Sequence, residues 1–350
     1  MRAFRDRDYF EDVNGFIFSV IGNVHPTDRV ISYLKYVPSD IKGSIWRKGD
    51  VIYKRILKYY SASYVENTIH DFLKKHTPDY VVYDEVLGLE MIEVPHNSVS
   101  KHYIPEERIK EILLNPKDEL EKLLADLVNI ILSHTGISKG SCGVTGSILL
   151  KIHNVEKSDI DLTIYGIKNS RRVRHFLYEI LNNSDLGFSR LYGDILDDYA
   201  RRLSLIHPLT FEEAKRYYLE IWNRGLYKGR FFSIHPVLTE DEIPERYGDR
   251  IFRSMGLIKI KARIIDDTYS MFMPAIYYID DVEVVSGPKV DDIIEICSYE
   301  GLYSDIAHKD DEIIAYGKLE KVLDKKRGKE YYRVLIGSFE AGGNDYLKVR

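Results

Sequence analysis

The first 112 residues alternate between apolar runs and loops in a way that is typical of a small α+β domain. Two runs rich in β-branched and aromatic residues, 15–22 and 29–37, flank a loop that contains Pro26 and Asp28. Such runs on either side of a turn predict a β-hairpin. The runs 50–60 and 63–73 alternate basic and aromatic residues before a helix-like stretch, and residues 80–84 resemble a further strand. We therefore expect an N-terminal α+β domain over 1–112.

Helical and strand patterns alternate between 113 and 254. Apolar residues recur at helical spacing over 116–135, and again from 171 to about 181 behind Ser170 as an N-cap. Strand-like runs at 141–145 and 159–165 lie between these helices, and a helix behind Thr210 precedes a strand at 231–235. This order predicts an α/β domain over 113–254.

After Gly256 the pattern changes to short strands separated by turn signals. The six predicted strands are 258–265, 270–278, 281–285, 293–299, 311–322 and 331–336. Strands at this spacing predict a small β-barrel or sandwich over 255–350.

Composition limits the class of protein. With 44% hydrophobic and 30% charged residues the chain has enough apolar material for packed cores. It lacks the roughly 20-residue apolar run of a membrane helix, and its charged first residues are unlike a secretory leader, which together predict a cytoplasmic protein. Cys142 and Cys297 belong to no CxxC pair, so we expect free buried thiols.

Charge is uneven along the chain, whose net charge is −5. Residues 1–60 carry 11 Lys and Arg against 7 Asp and Glu, so this region is the better candidate for binding RNA. Cations and aromatic rings that suit phosphates and bases are interleaved there, namely Tyr33, Lys35, Tyr36, Arg47, Lys48, Tyr53, Lys54, Arg55, Lys58, Tyr59 and Tyr60. Abundant charge without any glutamine is typical of heat-adapted organisms.

Gly146 and Ser147 end a strand-like run and begin an apolar helical turn. Glycine permits unusual backbone angles, and the first N–H groups of a helix favour an anion. The turn is therefore a candidate phosphate site, with the Ser147 hydroxyl as a further donor. The alternative is an ordinary strand-to-helix turn.

Asp159 and Asp161 follow eleven residues after this turn. Residues two apart on a strand project to the same face, so their carboxylates lie side by side. The repulsion between them is relieved by a divalent cation, and oxygen ligands suit Mg²⁺ or Mn²⁺. A strand with a solvated acidic face is the alternative.

The glycine turn, the eleven-residue gap and the Asp-Ile-Asp-Leu run resemble the signature of the DNA polymerase β-type nucleotidyltransferase superfamily. More broadly, the chain resembles archaeal predicted nucleotidyltransferases that have an N-terminal extension and a C-terminal β-rich domain. The resemblance implies a mixed sheet with flanking helices, metal bound by Asp159 and Asp161, and NTP phosphates held by Gly146 and Ser147. The implied reaction transfers a nucleoside monophosphate to a hydroxyl and releases pyrophosphate.

The superfamily usually supplies a third carboxylate from a later strand, but the strand at 231–235 has none. Ser233 or His235 occupies the expected place, and His235 is a candidate base or metal ligand. The loop acids Asp194, Asp197, Asp198 and Asp241 are other candidates for the missing charge. Three cations that follow the first acidic strand are candidates for the triphosphate, or for a solvated helix start: Lys168, Arg171 and Arg172.

Two classes of function remain open. The first is a metal-dependent nucleotidyltransferase whose acceptor hydroxyl belongs to RNA, a protein or a small molecule. The alternative is a nucleotide- or RNA-binding protein on a degenerate nucleotidyltransferase fold, which the absent third carboxylate permits.

Overall fold

Three β-sheets organise the chain in the computed structural model. The structure describes residues 2–40, 44–57, 66–183 and 185–350, with the side chains of 66 and 67 left aside. The mixed α and β class predicted from the sequence is confirmed. Seven α-helices lie within the described residues: α1 (Asp71–His76), α2 (Pro105–Leu114), α3 (Glu119–Thr135), α4 (Gly146–Leu149), α5 (Ile167–Asn183), α6 (Gly193–Ile206) and α7 (Phe211–Glu220).

The first sheet contains the predicted β-hairpin. Its strands are β1 (Tyr9–Asp12), β2 (Ile17–Val20), β3 (Arg29–Pro38), β4 (Trp46–Lys48), β5 (Val51–Arg55), β6 (Val81–Asp84), β7 (Leu89–Pro95) and β8 (Val99–Tyr103). The main path is β4-β5-β3-β2-β1-β8, and β7 pairs with both β3 and β6. β2 and β3 are antiparallel, so the hairpin is confirmed.

The first sheet packs directly against the turn that contains Gly146. Tyr9, Tyr36 and Tyr53 form a buried cluster with Leu149 and Leu150, which lie at the end of α4. Because burial of large aromatic rings is strongly favourable, this cluster holds one face of the first sheet against the end of α4.

The second sheet carries the candidate site. Its strands are β9 (Cys142–Val144), β10 (Ile160–Tyr165), β11 (Phe188–Ser189), β12 (Arg224–Tyr227) and β13 (Arg230–Val237), in the order β11-β12-β13-β10-β9. β10 and β13 are parallel, and the other pairs are antiparallel. Helices α3 and α5 bury apolar residues such as Leu127 and Val173 in one core with the strands.

Cys142 and Cys297 are buried free thiols, as predicted.

Two helices begin at local capping residues, whereas a third is capped by a residue that is distant in the sequence. Asp118 accepts the Glu121 N–H at the start of α3, and Thr210 forms a capping box with Glu213 at the start of α7. The predicted N-cap Ser170 was wrong, because α5 begins at Ile167 and Ser170 is buried inside it. The Ile167 N–H is satisfied by the Glu242 carboxylate, which the local sequence does not contain.

The third sheet has six strands, as many as predicted, but two predicted strands merge into one and the last strand, 346–349, was not predicted. It comprises β14 (Arg250–Tyr269), β15 (Ala275–Ser286), β16 (Ile293–Ser298), β17 (Glu312–Asp324), β18 (Lys329–Ile336) and β19 (Tyr346–Val349). β14 pairs with β17 along its first part and with β15 along its second. Residues 270–278 and 281–285 were predicted as separate strands, but 275–278 and all of 281–285 belong to the single strand β15. Asp281 adopts a left-handed φ of 53° there, and the register with β14 shifts, as in a β-bulge.

The predicted domain boundaries fall inside secondary-structure elements. Residue 112 lies within α2 and residue 254 lies within β14. Among the described helices, none combines the length and the apolar character that crossing a bilayer requires.

Candidate functional site

A row of polar residues crosses the second sheet at the start of β10. Asp161 is in register with Ser233 on the parallel strand β13, and Ser233 is in register with Arg224 on β12. On the other side, the Thr145 N–H donates to the Asp161 carbonyl at 2.9 Å. Because residues directly opposite each other share a face, Arg224, Ser233 and Asp161 line the same surface.

The Asp161 carboxylate is held by a hydroxyl group. Ser233 Oγ donates to Asp161 Oδ1 at 2.5 Å and lies 2.8 Å from His235 Nε2. His235 Nε2 itself is 4.0 Å from Asp161 Oδ1. Ser233 and His235, the two residues predicted for the place of the third carboxylate, therefore both lie beside Asp161.

Gly146 is required because the carboxylate approaches its backbone. It has a φ of 66°, and a Cβ built there would lie 2.5 Å from Asp161 Oδ2. The helix α4 that follows has four residues, so the dipole argument for a phosphate at this turn loses its force. The role that the structure supports for Gly146 is to admit Asp161.

Asp159 lies just before β10, and its side chain reaches solvent. The surrounding protein still removes part of its hydration, which is the main reason that its pKa rises to about 6, and Asp161 raises it further. Arg55 and Arg230 act in the opposite direction. Arg230 also donates to the carbonyls of Val155 and Glu156, so it holds the loop that leads into Asp159.

Cations from distant parts of the chain surround these residues. Burial lowers the pKa of His235 well below its ordinary value, and the charges of Arg7, Arg224 and Lys35 lower it further, so the imidazole is neutral. The charges of Arg7 and Arg224 also reach Asp161. Sequence reasoning did not assign Arg7 or Arg224 to the site, because neither lies near the acidic motif in the chain.

Lys168, Arg171 and Arg172 lie away from the two carboxylates. Asp159 precedes β10, whereas these cations follow its other end, and a strand of this length spans about 20 Å. They line an open depression with His175 and Glu242. The structure therefore does not bring them to a phosphate held beside Asp161.

The candidates for a third carboxylate do not complete the cluster. Asp197 pairs with Lys215 at 2.8 Å and Asp198 with Arg201 at 3.0 Å, while Asp194 is exposed on the same helix, α6. Asp241 follows β13 at the far end of the sheet. Among the described residues, the groups of three potential metal ligands lie elsewhere, namely Asp118 with Glu121 and His153, and Asp267 with Asp305 and His308.

The structure describes only some of the residues proposed to bind RNA. Tyr36 and Tyr53 are buried in the core, so they are packing residues rather than stacking surfaces. Lys58, Tyr59 and Tyr60 lie outside the described residues. Arg55 lies 4.4 Å from the centre of the Trp46 ring, at the side of the site that holds Asp159.

The fold and the site define an α+β protein of three sheets that carries a cluster of carboxylates, a hydroxyl and an imidazole on its central sheet. The chain is 31% identical to the uncharacterized protein MJ1086 of Methanocaldococcus jannaschii over 359 aligned positions, which cover 99% of each protein. It therefore belongs to the same family as that archaeal protein. No family model matches the chain, and no solved structure matches it.

Proposed function

We propose that this protein is a metal-dependent nucleotidyltransferase, which moves a nucleoside monophosphate from an NTP to an acceptor hydroxyl and releases pyrophosphate. One observation carries the proposal. Asp159 lies just before β10, close enough for the Asp161 charge to raise its pKa, and Asp161 is held between Gly146 and Ser233. The proposal takes the second sheet as nucleotidyltransferase-like. It also takes the third sheet as a small β-barrel, because β14 pairs on both sides.

The oxygen atoms at this place suit Mg²⁺ or Mn²⁺. The Asp159 and Asp161 carboxylates and the Ser233 hydroxyl are hard donors, and a divalent cation relieves the repulsion of the two charges. These residues would hold the ion, which when bound would bind phosphate oxygens and neutralise their charge.

The chain's own residues supply the remaining tasks. Ser233 fixes the orientation of Asp161 through its hydrogen bond. His235 is neutral, and because Ser233 donates its one proton to Asp161, His235 Nε2 donates to Ser233 Oγ. The other ring nitrogen, Nδ1, is therefore the candidate to accept the proton of the acceptor hydroxyl. The surrounding cations favour a polyanionic substrate over a neutral one.

A second candidate function is supported by the residue opposite Asp161. That position holds Ser233, where the superfamily usually has a carboxylate. A protein that binds nucleotide or RNA without turnover would have the same arrangement.

The experiment compares label transfer from each α-labelled NTP, with Mg²⁺ or Mn²⁺, to a pool of RNA, protein and small-molecule acceptors. We expect the Asp159→Asn/Asp161→Asn variant to lose roughly 10³-fold or more of the activity, since several kcal/mol of charge stabilisation disappear. Asp291→Asn/Asp292→Asn is the matched control, because it removes the same charge from exposed positions beside β16.

Each outcome separates the candidates. Transfer that persists in the Asp159→Asn/Asp161→Asn variant would defeat the site assignment. Nucleotide binding without transfer to any acceptor would favour the binding protein. The acceptor that receives label identifies the substrate class.

A further inference from the structure

Arg7 has a backbone conformation that its residue type disfavours. Its φ is 68°, in the left-handed region where a side chain with a Cβ is strained. Such strain persists only where the surrounding structure imposes it, and it is concentrated at functional sites. Here the Thr145 hydroxyl donates to the Arg7 carbonyl at 2.7 Å, so the strained residue is fastened to the turn that contains Gly146.

The Arg7 side chain is largely buried, but not all of its N–H donors have a hydrogen-bond partner among the described residues. Its exposed fraction is 25%, and its Nε is buried without a hydrogen-bond partner among the described residues. The nearest carboxylate, Asp6, is 3.3 Å from Nε and already accepts the Gly22 N–H. An arginine offers five N–H donors, so this environment leaves capacity for an anion.

Two further cations lie near the same residues as Arg7 but come from other parts of the fold. Lys35 comes from β3 of the first sheet and Arg224 from β12 of the second. Arg224 lies directly opposite Ser233 in the second sheet, and the Arg7 carbonyl accepts from the Thr145 hydroxyl. Lys35 Nζ lies 5.4 Å from the centre of the Tyr9 ring, which packs against the end of α4. The charges of Arg7 and Arg224 also act on Asp161. The cations therefore converge on the face of the sheet that carries Asp161, from three separate segments of the chain.

We propose that Arg7, together with Lys35 and Arg224, binds the polyphosphate chain of the nucleotide. The N-terminal domain is then one wall of the nucleotide site rather than solely a surface for the acceptor. Guanidinium groups suit this ligand, because their planar N–H pairs match phosphate oxygens. The nucleotide identity of the ligand rests on the proposed function, whereas the polyphosphate chemistry rests on the cations themselves.

If Arg7 served only as the ion-pair partner of Asp6, its removal would leave the binding of a polyphosphate unchanged. Inorganic tripolyphosphate is the probe, and its dissociation constant is measured by calorimetry without metal. We expect Arg7→Gln to weaken binding at least about tenfold, the usual worth of a charged hydrogen bond. Arg216→Gln, which removes an exposed cation from α7, is the matched control and should stay within about twofold.

A second variant covers the case in which Arg7→Gln fails to fold with Asp6 left buried and unpaired. Asp6→Asn/Arg7→Gln removes the buried pair together, which is far less costly than removing one partner. We expect the same loss of tripolyphosphate binding in this double variant, with circular dichroism like that of the wild type.

Binding by either Arg7 variant within about twofold of the wild type would overturn the inference, as would an equal loss in Arg216→Gln. The two proposals also fail separately. Tripolyphosphate binding through Arg7 without any nucleotide transfer would leave this inference standing and remove the transferase. Transfer by a wild type whose Arg7 variants bind tripolyphosphate normally would do the reverse.

Discussion

Two pairs of neighbouring carboxylates lie in very different surroundings in this molecule. Asp159 lies just before β10 and Asp161 is the second residue of that strand. Asp159 reaches solvent, and cations from several segments act on both carboxylates. Asp84 and Glu93 belong to the hairpin formed by β6 and β7 and are 3% and 4% exposed. We call Asp159 and Asp161 the open pair, because solvent reaches Asp159, and Asp84 and Glu93 the sealed pair, because both are buried.

The sealed pair is compatible with burial because it holds a proton. Burial, the hydrogen bond with Asp84 and the Asp84 charge raise the pKa of Glu93 to about 8, and Arg29 lowers it only in part. Asp84 Oδ2 and Glu93 Oε1 have no other hydrogen-bond partner within the described part of the chain, so a proton on Glu93 is what satisfies both oxygens. Proximity alone therefore does not make a carboxylate pair a metal site. Solvent access and neighbouring cations distinguish the pair beside Ser233.

The first prediction tests the structural role of the sealed pair and has the largest expected effect on stability. Asp84 Oδ1 accepts from the N–H groups of Val86 and Leu87 and from the Tyr247 hydroxyl. Because Asp84→Ala leaves three donors without an acceptor, we expect the free energy of unfolding to fall by about 3 kcal/mol. Chemical denaturation measures the change.

Asp84→Asn is the control for this prediction, because its amide oxygen can still accept from the two backbone N–H groups. We expect it to lose less than half as much stability. Label transfer per folded molecule should stay unchanged in both variants. A selective loss of transfer would place Asp84 in the functional site and remove the distinction between the two pairs.

The second prediction concerns the open pair and compares two glycines. Gly146 and Gly136 both have a left-handed φ, of 66° and 64°, so alanine costs a similar roughly 1 kcal/mol of backbone strain at each. A Cβ at Gly136 meets nothing within 4 Å, whereas one at Gly146 meets the Asp161 carboxylate. We expect Gly146→Ala to lower transfer about tenfold more than Gly136→Ala, because Asp161 must move. Equal activities in the two variants would mean that Asp161 does not need its observed position.

Local patterns were sufficient for the elements that bring the open pair together. The β2 and β3 hairpin, helix α3 and the Thr210 cap follow from periodicity and capping over a few residues. Asp159 and Asp161 are close because they are two apart in the sequence, which any strand geometry ensures.

The remainder of the site depends on contacts between segments that are far apart in the sequence. Arg7 and Arg224 are separated by most of the chain, and Ser233 meets Asp161 through a parallel strand pair. No pattern within a short window encodes such contacts, because they depend on which strands pair and on how the N-terminal segment packs. Tertiary pairing also overrode the turn expected between the predicted strands 258–265 and 270–278, since Asp266 and Asp267 lie within β14. The sealed pair could have been suspected, since Glu93 interrupts an apolar strand.

The third prediction has the smallest effect and tests whether the sealed pair carries a proton. An ordinary glutamate has a pKa of 4.5, against about 8 for Glu93 in the folded protein. The folded state therefore binds this proton more tightly than the unfolded chain does. Its contribution to the free energy of unfolding is complete below the unfolded value and is lost as pH rises through the folded value.

Glu93→Gln keeps an N–H donor facing Asp84 but does not ionise, so its stability should lack this pH dependence. We expect the free energy of unfolding of the variant, relative to the wild type, to rise steadily between about pH 5 and about pH 9. Glu107→Gln, at an exposed position of α2, is the control and should show a constant difference over that range. Urea denaturation at closely spaced pH values measures both. A constant difference for Glu93→Gln as well would show that the buried carboxyl ionises normally, and the contrast between the sealed and the open pair would then have to rest on cations alone.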